Sequence, residues 1–217
     1  AKAMMFDVYD KIDMVPGSTR AKVELAEAAQ DYLDSLAGDT RASDELKIET
    51  ARGLVRLSEI EGTPSFSSLQ DVDLSEKNLQ RAQVLLAPYK DSNPKSDDLL
   101  VALGELYANL SDISMYVEAN MDLAFSENTL SQEYYTAYLE RHPEDLKLHF
   151  QLLAARGNEG IMQFRNNERE AALSTLDAVL SDFGALLEEH PEDVDLLYGL
   201  ARTQRSKSEV LVNSDRP

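Results

Sequence analysis

Three histidines are the only imidazoles this chain offers for acid–base or metal chemistry: His142, His149 and His190. His149 stands four residues after Asp145, a spacing that puts both side chains on one face of a helix. A lone His–Asp pair of this kind is more often a surface contact than a general base. A zinc site needs further ligands at fixed spacing, as in His-Glu-x-x-His, and no such run occurs. No Glu-x-x-His pair, the unit of a di-metal bundle, is present either. With no cysteine, thiolate nucleophiles, thiolate metal sites and disulfides are excluded. Phosphate loops of the Gly-x-x-x-x-Gly-Lys and Gly-x-Gly-x-x-Gly kinds are missing, as is the Gly-x-Ser-x-Gly elbow. Adjacent acids such as Asp97-Asp98, Glu144-Asp145 and Glu188-Glu189 point to different helix faces and fit helix ends better than acid–base work. The residues therefore suggest no catalytic group, no cofactor and no metal.

Composition narrows the partners. The 217 residues carry 40 acids against 21 Lys and Arg, a formal net charge of −19. Such a surface repels phosphate backbones and anionic lipid, so nucleic acid and direct membrane insertion are not expected. No apolar run approaches the length of a membrane span. Seven Pro and nine Gly are few enough to leave long regular stretches, and polar–apolar alternation is rare, which favours helix over sheet.

The elements that would position a site come from an internal repeat. Ser43-Asp44-Glu45-Leu46, Ser96-Asp97-Asp98-Leu99, Pro143-Glu144-Asp145-Leu146 and Pro191-Glu192-Asp193-Val194 align as helix starts, at a period of about 48 residues. Ser caps free N–H groups, Pro needs none, and first-turn acids face the positive end of the helix dipole. His142 and His190 fall at matching junctions and so read as turn residues. Nine helices follow, near 2–13, 18–37, 43–61, 73–90, 96–118, 121–141, 143–165, 168–189 and 191–212. Pro16-Gly17 before Ser18, Asp73 with Glu76, and Asn167 with Glu170 supply further starts. Tyr134 and Tyr138 share a face at i, i+4, with Phe125 on the same helix, and fit core packing between stacked pairs. The expected fold is an all-α, right-handed superhelix of antiparallel helix pairs, a single domain over 1–217.

Leu103-Gly104-x-x-Tyr107 resembles the first-helix signature of tetratricopeptide repeats. Asn167-x-x-x-Ala171-Ala172-Leu173 is similar to their second-helix start, and His190-Pro191 to their closing Pro. The small residue at Gly104 recurs as Ala51 and Gly199, while Gln151 departs from the pattern. Helices longer than the family's unit make this a tetratricopeptide-like solenoid rather than a consensus array. Over roughly the first ninety residues, Lys11-Ile12-Asp13-x-x-Pro16-Gly17-Ser18-Thr19, Tyr32-Leu33-x-x-Leu36 and Leu57-x-x-Ile60-x-Gly62 resemble a helical-repeat region of bacterial multidomain signalling proteins. Arg20 stands near the start of its second helix, where that region usually carries Arg. The resemblance implies an accessory domain behind a serine/threonine kinase, a nucleotide cyclase or a winged-helix regulator. It implies a bacterial source, with a cytoplasmic place or a periplasmic one behind an upstream membrane helix. The opening Ala1-Lys2-Ala3-Met4 reads as a cut within a larger protein.

In such a solenoid the first helix of each pair lines the concave face. With Gly104 as the packing position, the groove residues are Arg52, Val55 and Arg56, then Glu105, Ala108 and Asn109, then Leu152 and Arg156, then Thr203 and Gln204. Arg52, Arg56 and Arg156 could clasp a carboxylate or an acidic peptide, or pair with neighbouring acids of the chain itself. The expected function is a non-catalytic protein–protein interaction module that binds a peptide or protein through Arg52, Arg56, Glu105, Asn109, Arg156 and Gln204. Two further readings stand beside it. One is self-association through the solenoid ends, and the other is an all-helical enzyme.

Overall fold

In a computed structural model, residues 19–38, 41–62, 69–92 and 95–212 are described, and among them every regular element is a helix. They are α1 (Thr19–Ala37), α2 (Asp44–Glu61), α3 (Val72–Leu86), α4 (Asp97–Tyr116), α5 (Met121–Leu139), α6 (Leu146–Arg165), α7 (Arg169–Glu189) and α8 (Val194–Val212). A 3₁₀ turn, Ala87–Tyr89, extends α3. The helix expected near 2–13 and the Pro16-Gly17-Ser18 break lie outside the described residues.

The starts of these helices follow from side chains that accept the first free N–H groups. Ser43 accepts from the Leu46 amide and Ser96 from Leu99, as their spacing implies. For α6 and α8 the caps are Asp145, accepting from Leu148 at 3.1 Å, and Asp193, accepting from Leu196 at 3.0 Å. Pro143 and Pro191 lie two residues earlier, outside the helices. Elsewhere Asp71 rather than Asp73 caps α3, and Asn120 caps α5. Asn167 is no cap at all: it takes φ 63° in the turn after α6, and α7 begins at Arg169. A short polar side chain tolerates that left-handed backbone.

Consecutive helices pack as pairs, α2 with α3, α4 with α5 and α6 with α7, and α8 closes on α7. The even-numbered helices also touch one another, α2 with α4 and α6 with α8. The apolar stripes meet in one large cluster shared by α1 to α4, including Leu33, Leu54, Leu57, Leu79, Leu86 and Leu106. Towards the C-terminus the core divides into smaller clusters, such as Leu153, Val179, Phe183 and Leu196 between α6, α7 and α8. Each helix pair hides its stripe against its neighbours, the condition a helical repeat must meet.

Two glycines admit rings between helices. At Gly104 the missing Cβ makes room for Tyr135 of α5, and at Gly199 for Phe183 of α7. The small residues are thus sockets for aromatic side chains rather than points of bare backbone contact. Ser131 and Asn128 of α5 fix it further by donating to the Gly104 and Ala155 carbonyls, at 2.9 and 3.1 Å.

Candidate interaction site across the even-numbered helices

Arg52, Arg56 and Glu59 fall at i, i+4 and i+7 on α2, and Glu105, Asn109 and Asp112 repeat that spacing on α4. The two stripes meet along the α2–α4 seam. Arg52 donates from Nε and Nη2 to the two carboxylate oxygens of Glu105, at 3.0 and 3.2 Å. Its Nη1 lies 3.8 Å from Asp98. This two-pronged pairing is the geometry in which a guanidinium recognises a carboxylate best. Arg56 donates to Glu59 at 2.6 Å. Asn109 then ties the halves together, giving its Nδ2–H groups to Glu59 Oε1 at 3.2 Å and to the Glu105 carbonyl at 2.9 Å.

The row continues onto the next two even-numbered helices. Asp112 accepts from Asn158 of α6 at 3.0 Å, and Asn158 Oδ1 accepts from Arg202 of α8 at 3.0 Å. A chain of polar contacts thus runs from α2 through α4 and α6 to α8.

The charges in this row are held by one another. Burial alone would lower the Arg52 pKa, but the Glu105 charge and hydrogen bond, with Asp98 behind them, leave it raised. Glu59 is raised by burial, against the opposing pull of Arg56 and the Asn109 hydrogen bond. Tyr135, wholly buried, is pushed well up by burial and by the negative charges of Glu105 and Glu59.

Four of the six residues singled out in the sequence come together here: Arg52, Arg56, Glu105 and Asn109. The other two do not. Arg156 turns to α7 and pairs with Asp182, and Gln204 lies exposed on α8. The displacement has one cause. Counted from the true caps Ser43, Ser96, Asp145 and Asp193, the equivalents of Arg52 are Glu105, Ala154 and Arg202. Those of Arg56 are Asn109, Asn158 and Ser206. Starting α6 and α8 at the prolines shifts the register by two residues and substitutes Arg156 and Gln204 for Ala154 or Asn158 and Arg202 or Ser206. The i, i+4, i+7 polar stripe that holds Glu59 and Asp112 is a signal the sequence already contained.

The histidines serve helix ends. His142 Nε2 lies 2.8 Å from Asp97 Oδ2, beside Arg141, and these partners hold the Asp97 carboxyl below its usual range. His149 turns its Nε2 to the Pro143 carbonyl at 2.8 Å, while the Asp145 carboxylate caps the helix and also accepts from Tyr138 at 3.1 Å. His190 closes α7, its N–H bonded to Leu186 O. No group of three or more His, Asp or Glu side chains among the described residues is arranged to hold a metal ion, and none of the described helices is long and apolar enough to cross a membrane.

Away from this row, a groove of about 600 Å³ runs between α1 and α3, bordered by Asp34, Leu74, Lys77, Arg81 and Val84. Beneath it Asn78 links Gln30 to the buried Glu61.

Comparison of the chain with family models, with curated proteins and with solved structures returns no match.

Proposed function

We propose that the chain is a non-catalytic protein-interaction module, a tetratricopeptide-like scaffold that receives a peptide or protein segment along its even-numbered helices. The supporting observation is the polar row Arg52–Glu105, Glu59–Asn109, Asp112–Asn158–Arg202. It joins four successive first helices at equivalent repeat positions. A repeating line of hydrogen-bonding side chains suits an extended partner, which presents polar groups at regular intervals. The repeat signatures and the resemblance of the first ninety residues suggest the accessory domain of a bacterial signalling protein. The test is affinity capture of partners by the wild-type chain, by Arg52→Ala/Arg202→Ala, and by Ala185→Glu on the exposed side of α7. Partners kept by Ala185→Glu and lost by the double variant, with helicity intact by circular dichroism, support the reading. Partners retained by the double variant remove it.

A second reading rests on α8. Ten large hydrophobic side chains are exposed among the described residues, and Val194, Leu197, Tyr198, Leu211 and Val212 supply half of them. They lie opposite the stripe Leu196, Gly199, Thr203 and Val210 that α8 buries. We propose self-association of two copies through this outward face as the second function. Sedimentation at several concentrations checks it: a monomer at all of them, unchanged by Leu197→Glu, sinks the idea.

A further inference from the structure

The α2–α4 group leaves one buried acceptor unserved. Arg52 Nε and Nη2 are spent on Glu105, Arg56 Nη1 on Glu59, and Asn109 Nδ2 on Glu59 and the Glu105 carbonyl. Asn109 is 3% exposed, yet its Oδ1 receives no hydrogen bond. An acceptor buried in this way forfeits its hydration without compensation, and such atoms are uncommon in folded proteins. Around it the acids Asp98, Glu59 and Glu105 outnumber Arg52 and Arg56 by one, the exposed Asp98 being the odd one. The sequence leaves two roles open for these arginines, clasping an acidic peptide or pairing with acids of the chain itself. Both guanidinium groups face carboxylates of the chain, and what is left over is a buried acceptor in acidic surroundings.

We propose that the Asn109–Glu59 position is a subsite for a protonated primary amine, the side chain of a lysine carried by the partner. This rests on the even-numbered helices being the docking surface. Three features favour an ammonium. The fully buried acceptor calls for a donor, and the surplus charge calls for a single cation. Exposure also falls steeply inward, from 38% for the Arg56 side chain and 34% for Arg52 to 14% for Glu59. A slender stem with a compact charge reaches a buried acceptor more readily than a planar guanidinium does. On arrival the ammonium donates to Asn109 Oδ1 and to the Glu59 carboxylate, and its approach requires the Arg56 side chain to swing outward. The whole chain, at −19, draws a basic segment towards this surface before any contact forms.

The experiment is fluorescence anisotropy on the full chain with three labelled octapeptides, at about 0.15 M salt to screen non-specific attraction. The first alternates lysine with alanine, the second carries Nε-acetyl-lysine at the same positions, and the third carries glutamate. The lysine peptide binds, and the acetylated one, with the same stem and no ammonium, does not. Asn109→Leu weakens the lysine peptide about tenfold or more, the loss of a charge-assisted hydrogen bond. Glu59→Gln keeps the acceptor towards Asn109 and removes the charge, and it produces a loss of the same order should Asn109→Leu not fold. Glu188→Gln, on α7, changes one surface charge and leaves the affinity as it was. Equal lysine-peptide affinity in wild type, Asn109→Leu and Glu59→Gln overturns the proposal, since only water or diffuse charge then serves Asn109. Absence of lysine-peptide binding by the wild type overturns it too. Tighter binding of the glutamate peptide, lost in Arg52→Ala/Arg202→Ala, overturns the amine assignment while leaving the even-numbered helices as the docking surface.

Discussion

The ring of Tyr135 lies so close over Gly104 that a Cβ built on the glycine would sit 2.5 Å from Cε1. Tyr135 is 1% exposed and its neighbours are packed, so the ring cannot withdraw. Gly104→Ala therefore sets a helix-propensity gain of about 1 kcal/mol against an overpacking cost of roughly 1–3 kcal/mol. The net outcome is destabilisation of up to about 2 kcal/mol. Gly184, inside α7, has nothing within 4 Å of its missing Cβ. Gly184→Ala should then show the propensity term alone and stabilise by about 0.5–1 kcal/mol. Urea midpoints of the two variants on opposite sides of the wild type are the expected result; two shifts of the same sign contradict the socket.

What the sequence disclosed, and what it hid, divides along physical lines. Apolar stripes at helical spacing and Ser43 and Ser96 before acidic first turns are local signals, and they place the starts of α2 and α4 within a residue of those observed. The starts of α6 and α8 were misplaced because Pro143-Glu144-Asp145 and Pro191-Glu192-Asp193 each contain two plausible openings. Proline at a first helical turn is as regular a signal as an aspartate cap. The choice between them depends on whether the preceding turn closes, here through Asp145 N–H to His142 O and Asp193 N–H to His190 O. That two-residue error carried Arg156 and Gln204 into the site and left Asn158 and Arg202 out. Glu59 and Asp112 stayed hidden for another reason. In a chain with 40 acids, a single carboxylate stands out only through the i, i+4, i+7 spacing it shares with its equivalent on the next even-numbered helix.

The capping assignment has its own test. Asp145→Ala and Asp193→Ala each remove the side chain that accepts the Leu148 or Leu196 amide, at a cost of about 1 kcal/mol. Pro143→Ala and Pro191→Ala, two residues outside the helices, should move stability by less than about 0.5 kcal/mol. Thermal or urea unfolding of the four variants separates the two registers. A larger loss at the prolines than at the aspartates would restore the earlier starts.

Arg52 and Glu105 form a pair that a double-mutant cycle can weigh. Both side chains are partly screened by water, so the coupling is modest despite the two-pronged geometry, about 1 kcal/mol. Arg52→Gln alone should cost more than Glu105→Gln. The first leaves the Glu105 carboxylate facing Glu59, whereas the second leaves Arg52 still beside Asp98. Equal single-variant losses with zero coupling, measured by urea unfolding, would mean that the Arg52–Glu105 pair does not hold the seam.

Glu61 makes stability depend on pH in a direction that can be worked out. It is 2% exposed at the end of α2, and burial raises its carboxyl from 4.5 to about 7, against the hydrogen bond from Asn78 and with help from the charges of Asp71 and Asp34. Below about pH 4.5 the group is protonated in both folded and unfolded chains and contributes nothing to the difference. Between 4.5 and about 7 the unfolded chain gives up the proton while the folded one keeps it, so stability falls as pH rises. Above about 7 the folded chain holds a buried carboxylate and the whole penalty is present, at most about 3 kcal/mol. Glu61→Gln keeps an acceptor for Asn78 Nδ2 and has no charge to bury. The variant should match the wild type near pH 4.5 and exceed it by about 2–3 kcal/mol near pH 8, with the gap opening between those values. Urea unfolding of both proteins across this range reads the gap directly. Parallel curves, or a variant less stable at high pH, would show that the Glu61 carboxylate is stabilised where it lies.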